Sequence, residues 1–184
     1  MGKKGAETKS RLLAATGSLM ESRGYFGTGL NQILEVSGAP RGSLYFHFPG
    51  GKDQIVAESL EQAGAEIAAI IDTAEAADAR EYLTRLVTVL GDRLESSDWT
   101  KGCPVAGVAL DAASSNDAVR QACSAVYRRW EEGLRRRLDE YGHPEPERLA
   151  TAALALLEGG LILARAHRDR QPLLGIAATI RSLV

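Results

Sequence analysis

Residues that could do chemistry crowd one stretch of the chain, GAPRGSLYFHFPGGKDQIV at positions 38–56. Three chemistries fit such residue types: a phosphate cradle, a nucleophile–base pair, and a surface for a polynucleotide. A P-loop needs G-x-x-x-x-G-K-[ST] after a strand, because its glycines open backbone amides to phosphate and its hydroxyl holds Mg²⁺. Counting back from Gly51, the first glycine position holds Phe46, and Asp53 follows Lys52 where a hydroxyl is required. Asp53 would also repel a phosphate. Ser43 and His47 lie four apart and could share a helix face. No carboxylate is placed to orient that imidazole, and nothing supplies an oxyanion hole. No catalytic residue, metal site or cofactor is therefore expected.

The polynucleotide reading uses more of the stretch. Two short helices joined by a tight turn with glycine make a helix-turn-helix, whose second helix lays its N-terminal residues against base edges in the major groove. Here those residues are Pro40, Arg41, Gly42 and Ser43. Arg41 has the planar fork that pairs with guanine O6 and N7. Gly42 removes a side chain where the backbone must come close. Tyr45 and His47 carry polar tips on apolar bodies, suited to phosphate contact. Gly50 and Gly51 are expected to leave the first amides of the following helix open to an anion, with Lys52 adding charge. Thr28 is expected to cap the first helix of the pair and to touch a phosphate with its hydroxyl. Leu44, Phe46 and Phe48 are expected to form the core beneath. Taken singly, Tyr45 could be packing and His47 an ordinary surface histidine; their joint order carries the signal.

The rest of the chain must position that stretch. Its periodicity is helical throughout, and no period-two alternation is sustained. The fold class is all-α, with about nine helices in this reading of the sequence. The first covers about 8–23, with Leu12, Ala15, Leu19 and Met20 on one face and Gly24 as its stop. The second covers about 29–36 and the third about 40–46, where Pro40 suits a first turn because its missing N–H has no partner there. A fourth opens near Gly51, a fifth covers about 79–95, and a sixth begins at Pro104. A seventh covers about 117–141, an eighth about 145–167, and a last one follows Pro172. Residues 1–53 are expected to form the helix-turn-helix domain and residues 54–184 a larger helical body.

Composition is that of an ordinary globular chain, 45% apolar and 25% charged, long enough at 184 residues for one large domain or two small ones. The net charge of -2 hides an asymmetry: residues 1–53 carry seven Lys and Arg against four Asp and Glu, so the remainder is net acidic. A basic end on an acidic body suits one region to a polyanion. Cys103 and Cys123 have neither metal spacing nor a disulfide framework. The opening MGKKGAETK lacks an apolar h-region, so no secretory signal is expected. The most apolar run, Ala152–Ala164, is shorter than the ~18 residues that span a membrane. A cytoplasmic protein without a membrane partner is expected.

That run contains one charge, Glu158. A helix apolar on nearly every side must be buried on nearly every side, either as the central rod of the domain or with its own core on one side and a second copy on the other. A homodimer is expected, with Leu157, Leu161 and Ala164 on the seam beside Ile176 and Ile180 of the last helix. A cavity for a small molecule is expected to draw on Leu86, Leu90, Trp99, Cys103, Tyr127, Trp130, Leu134 and Leu156, apolar residues with a few polar tips. Each could equally be core. Glu158 is expected to pair with Arg128 or Arg165, or else to meet a cationic ligand. Cys103, just before Pro104, reads as an inert thiol, with a redox switch as the alternative.

TGLNQILEVSGAPRGSLYFHFPGGKDQI resembles the DNA-binding segment of TetR/AcrR-type transcriptional repressors, over about residues 8–56. KGCPVAGVALD and EGGLILARAHRD further resemble the LmrA/YxaF-like branch of that family. The resemblance implies a homodimer that binds a duplex DNA operator. It implies phosphate contacts by Thr28, Tyr45, His47 and Lys52, base contacts by residues 40–43, and a pocket for a small-molecule effector in the C-terminal part. Ala39, before Pro40, is a poor N-cap where many relatives have a hydroxyl. The expected function is a ligand-responsive repressor on a pseudo-palindromic operator. The alternatives are a helical small-molecule-binding protein or enzyme with an idle helix-turn-helix, and an activator or adaptor whose body binds another protein.

Overall fold

A computed structural model describes residues 3–183. Among the described residues the secondary structure is helical: α1 Lys3–Arg23, α2 Leu30–Ser37, α3 Arg41–His47, α4 Gly51–Thr73, α5 Ala79–Ser96, α6 Ala106–Ala112, α7 Asp117–Glu140, α8 Pro146–His167 and α9 Gln171–Leu183. The all-α architecture matches the periodicity. Helix ends differ where caps decide them. α3 starts one residue late, at Arg41, because Pro40 is itself the extended N-cap (φ -60°, ψ 142°). α6 starts at Ala106, two residues beyond Pro104.

The chain forms two compact units, one from Met1–Ala65 with Pro104–Val126, the other from Glu66–Cys103 with Tyr127–Val184. The boundary expected after residue 53 falls inside α4, a continuous helix. In the first unit α1 packs on α2, α3 and α6. Its core is Leu12, Leu19, Ile33, Ala39, Leu44, Phe48 and Ile55. Each large side chain buried in this way contributes roughly 1.5–3 kcal/mol relative to exposure. Gly24 ends α1 in the left-handed region (φ 69°), where any side chain would run into the Asp111 carboxylate. Gly64 lets α4 close on α7: a Cβ there would lie 2.6 Å from Val126 Cγ1.

In the second unit α5, α8 and α9 pack on one another. Gly160 permits the α8–α9 approach, since a Cβ would collide with Ile176 Cδ1. The turn after α4 is tied down by Arg137, whose Nη2 donates to Ala74 O at 2.9 Å and whose guanidinium lies 5.4 Å from the Tyr82 ring centroid. α8 is longer than the apolar run read from the sequence. At 22 residues it is, by length and composition, long and apolar enough to cross a membrane. It serves here as a core helix, burying Leu149, Ala150, Ala153, Leu157, Gly160, Leu161 and Ala164.

Candidate nucleic-acid interface

The α2–turn–α3 element is set by a few local choices. α2 ends at Gly38, left-handed at φ 60°. The turn is stitched by the Ala39 amide donating to Ser37 Oγ (3.2 Å) and by Arg11 Nη1 donating to Ser37 O (3.3 Å). α3 is too short to hold itself in water. Leu44 and Phe48, four apart and fully buried, fasten one face of it to the core. The opposite face stands in solvent. Pro40, Arg41, Gly42 and Tyr45 are exposed, and Ser43 and His47 are half-buried. Arg41 and Tyr45 sit one turn apart on that face. A Cβ on Gly42 would meet nothing within 4 Å, so the backbone there is open to close approach. Six of the eight sequence-predicted contacts are thus gathered on one small surface.

Phe46 is not core. It is 74% exposed, because helical spacing turns it away from Leu44 and Phe48. Its ring touches the His47 imidazole edge-on, with centroids 5.0 Å apart.

Thr28 and Lys52 belong elsewhere. Gly29, extended at φ -99° and ψ 150°, is the N-cap of α2, and its amide donates to Gln32 Oε1 at 3.0 Å. Thr28 is fully buried, and its hydroxyl donates back to Gly24 O at 2.8 Å. It has neither the exposure nor the spare proton for a phosphate. Lys52 Nζ donates to Tyr25 O at 2.7 Å and lies 4.0 Å from the centroid of the Tyr25 ring. Burial pulls its pKa down, against the pull of Asp53 and Asp111. The amides of Gly50 and Gly51 are occupied, donating to Gln54 Oε1 (2.8 Å) and Phe48 O (2.9 Å). The open anion site expected at the start of α4 is absent at these two amides.

In its place stands a polar tie that the sequence reading missed. The Tyr25 amide donates to Asp111 Oδ2 (2.9 Å) and the Tyr25 hydroxyl to Asp53 Oδ1 (2.5 Å). Hydrogen bonds from Tyr25 and then Asn116 hold the Asp53 carboxyl below the usual aspartate range. Burial, then Asp53, pushes the Tyr25 phenol up. The tie joins the α1–α2 turn, α4, α6 and the turn before α7. The available signal was Tyr25 itself, a large polar aromatic between two glycines.

In the second unit Leu86, Trp130 and Leu134 are buried, and Leu90, Trp99, Cys103, Tyr127 and Leu156 are half-buried. Tyr127 and Trp130 meet edge-on at 5.5 Å. Cys123, which belongs to the first unit, is a buried thiol whose pKa burial raises to about 11. The hydrogen-bond partner of Glu158 is the Cys103 thiol rather than Arg128 or Arg165, and burial lifts its carboxyl above the usual range.

Of the residues expected between two copies, Leu157, Leu161, Ala164 and Ile180 are buried inside the chain. The half-buried Ile176 faces Gly160. The stripes left outside are Ala155, Gly159, Ile162, Leu163 and Ala166 on α8 and Leu174, Gly175 and Ala178 on α9. A helix apolar on every side offers no phase from which to tell the inward stripe from the outward one.

Residues 12–59 match the family described as bacterial regulatory proteins, tetR family. Residues 79–179 match the LmrA/YxaF-like transcriptional regulator C-terminal domain. The HTH-type transcriptional regulator LmrA of Bacillus subtilis is 33% identical over 182 residues, covering 97% of each chain. An uncharacterised HTH-type transcriptional regulator of Mycobacterium tuberculosis is 36% identical over 184 residues, covering 96% of this chain and 93% of the relative. The crystal structure of the regulatory protein TetR from Rhodobacter sphaeroides shares the fold, with a TM-score of 0.85, 21% identity, and coverage of 94% of this chain and 96% of that one.

Proposed function

The chain belongs to the tetR family of bacterial transcriptional regulators, in its LmrA/YxaF-like branch, and we propose that it is a homodimeric, effector-released repressor of a pseudo-palindromic operator. The observation that carries this reading is the solvent face of α3, where Arg41, Gly42 and Tyr45 stand exposed over a fully buried Leu44 and Phe48. Arg41 reads a guanine through O6 and N7, a contact worth about 1–3 kcal/mol of discrimination. Gly42 and Ser43 bring the backbone to the groove floor. Tyr45 and His47 hold phosphates, which position without specifying.

Two copies meet through the outward stripes of α8 and α9. Gly159 and Gly175 support this. Each is a helical glycine whose added Cβ would meet nothing within 4 Å in the chain. Such glycines cost helix stability of about 1 kcal/mol each and are explained by close approach of another backbone. Ile162, Leu163 and Leu174, about half exposed, flank them. A dimer places its two α3 helices on half-sites about one turn, ~34 Å, apart or a multiple of it. An effector held in the body favours dimers with the wrong spacing and so releases the DNA by population shift. Such a protein works in the cytoplasm, where the chromosome is.

The test is titration of the chain with duplex from its own promoter region across salt concentrations. Affinity falls steeply with salt if phosphates are neutralised. Arg41→Ala is expected to relax preference at one base pair per half-site, and Tyr45→Phe to weaken all sequences alike. No binding to any duplex at low salt sinks the reading. An unchanged sequence profile for Arg41→Ala sinks the assignment of the reading residue.

A further inference from the structure

Glu158 is the one acidic residue in the apolar middle of α8, and the structure leaves it half-served. Its Oε2 is buried and has no hydrogen-bond partner. The Cys103 thiol is bonded to the same carboxyl. A thiol is a weak donor, so one oxygen receives little and the other receives nothing. Leaving a buried acceptor bare costs about as much as a lost hydrogen bond, and a burial of this kind invites a ligand that completes it.

The segment that leads to Cys103 is built under tension. Asp98 and Trp99 are consecutive non-glycine residues in the left-handed region, at φ 51° and 60°. Such residues cost of order 1–3 kcal/mol each and persist where the surroundings hold them. Here Ser97 holds them: its Oγ donates to Leu94 O (2.7 Å) and accepts from the Lys101 amide (3.1 Å), while the Trp99 amide reaches back to Leu94 O (3.1 Å). The strap then runs along α8. A Cβ on Gly102 would lie 3.6 Å from Arg165 Nη1, and Cys103 bonds Glu158, two turns earlier on the same helix face. One strap thus carries both the thiol on the carboxyl and a half-buried tryptophan four residues before it.

We propose that the body binds an apolar organic cation, a protonated amine carried on a ring system, whose nitrogen donates to the bare Oε2 of Glu158 beneath the 97–103 strap. The proposal rests on the effector reading above and names the chemical class of that effector. Three observations select the class. A bare acceptor oxygen asks for a donor. A carboxyl pushed up by burial gains most from a full positive charge. The helix around it carries no other charge from Ala152 to Ala164, and the segment that brings Cys103 to it also carries the half-buried Trp99, a residue type whose ring face favours a cation. A metal ion fits poorly, because no group of three His, Cys, Asp or Glu side chains gathers among the described residues. Arg165 does not already do the work: burial lifts the carboxyl, and the influence opposing it is the Cys103 thiol, with no basic side chain contributing.

The test uses the full chain and matched probes that differ only at the polar tip: tryptamine, tryptophol and indole-3-acetate, with benzylamine and benzyl alcohol as a smaller pair. Calorimetry measures binding, and duplex from the chain's own promoter region measures release. At least one amine is expected to bind tenfold or more tighter than its alcohol, with indole-3-acetate weakest. Glu158→Gln is expected to bring that amine and its alcohol within about twofold of each other while keeping the alcohol's affinity. Cys103→Ser, which keeps a donor on the carboxyl, should preserve the preference for the amine. Equal affinity of amine and alcohol overturns the proposal, and so does failure of every amine to bind. So does a preference that survives Glu158→Gln. The effector reading fails separately: if amines bind as expected and the promoter duplex is held just as tightly, the site is real and is not the one that releases DNA. Release by neutral or acidic compounds, with Glu158→Gln behaving as wild type, keeps the effector reading and sinks the cation.

Discussion

The two compact units treat their polar groups differently. Around the start of α4, Tyr25, Lys52, Asp53, Asp111 and Asn116 are closed on one another. In the other unit lie all three buried side-chain atoms found without a partner among the described residues: Thr84 Oγ1, Arg137 Nε and Glu158 Oε2. A surface that must meet DNA in one geometry gains from a closed network, which fixes the helices presenting it. A body that must change when a small molecule arrives gains from an open one, because an unfinished hydrogen bond is free energy that a ligand can recover. The contrast is sharpest between two carboxyls. Asp53 is held down by its donors, whereas Glu158 is pushed up by burial.

The largest test strikes the base of the first unit. Phe48→Ala should cost about 3–5 kcal/mol, the usual range for an aromatic removed from a close-packed core. DNA binding should go with it, since Leu44 and Phe48 fasten α3. Urea denaturation followed by circular dichroism measures the loss. A fall under about 1 kcal/mol would mean that α3 stands without that anchor. Phe46→Ala, two residues earlier and 74% exposed, should leave stability within about 0.5 kcal/mol.

Adjacent glycines on α8 probe the second unit. Gly160→Ala drives a methyl into Ile176 and should cost about 1–3 kcal/mol. Gly159→Ala meets nothing in the chain. It should strengthen the helix by up to ~1 kcal/mol while weakening self-association, as read by sedimentation at several concentrations. A self-association constant unchanged by Gly159→Ala would move the seam off this stripe.

This pair also marks where the sequence stops being legible. Helix periodicity placed α1 and the α2–α3 pair, because those helices have one apolar face and a polar one. It does not phase α8, and so it does not separate Leu157 and Leu161, which belong to the core, from the stripe that stands outside. Local turn chemistry is not legible where a backbone amide has a competing acceptor nearby, as at Gly50 with Gln54 and at Gly51 with Phe48. Thr28 looked like a cap because threonines cap; the extended residue turned out to be Gly29. The partners Tyr25–Asp111 and Cys103–Glu158 are separated by 86 and 55 residues, and no local pattern announces contacts of that range.

Tyr25→Phe opens the closed network. It removes the donor to Asp53 and should cost about 1 kcal/mol at pH 7. The folded pKa of Asp53 lies below its unfolded value, so its contribution is present above about pH 4 and is lost as pH falls through the folded value. Wild type and Tyr25→Phe should therefore converge in urea stability on the acid side. A gap that stays constant to the lowest pH at which the chain folds would show that the carboxylate form is not what the phenol stabilises.

Glu158 should do the opposite. Its folded pKa is raised, so the stability linked to it is present below the unfolded value of about 4.3 and is lost as pH rises through the folded value. Above that window the fold carries a desolvated carboxylate with one bare oxygen. Glu158→Gln removes the charge and keeps the shape, and should match wild type near pH 4 and exceed it by up to ~1 kcal/mol at pH 7–8 in the absence of ligand. Urea denaturation at those two pH values reads the difference directly. A variant less stable than wild type at both would mean that Oε2 already has a donor in solution. The carboxylate would then be a finished structural pair, and the two units would not differ in the way their polar groups suggest.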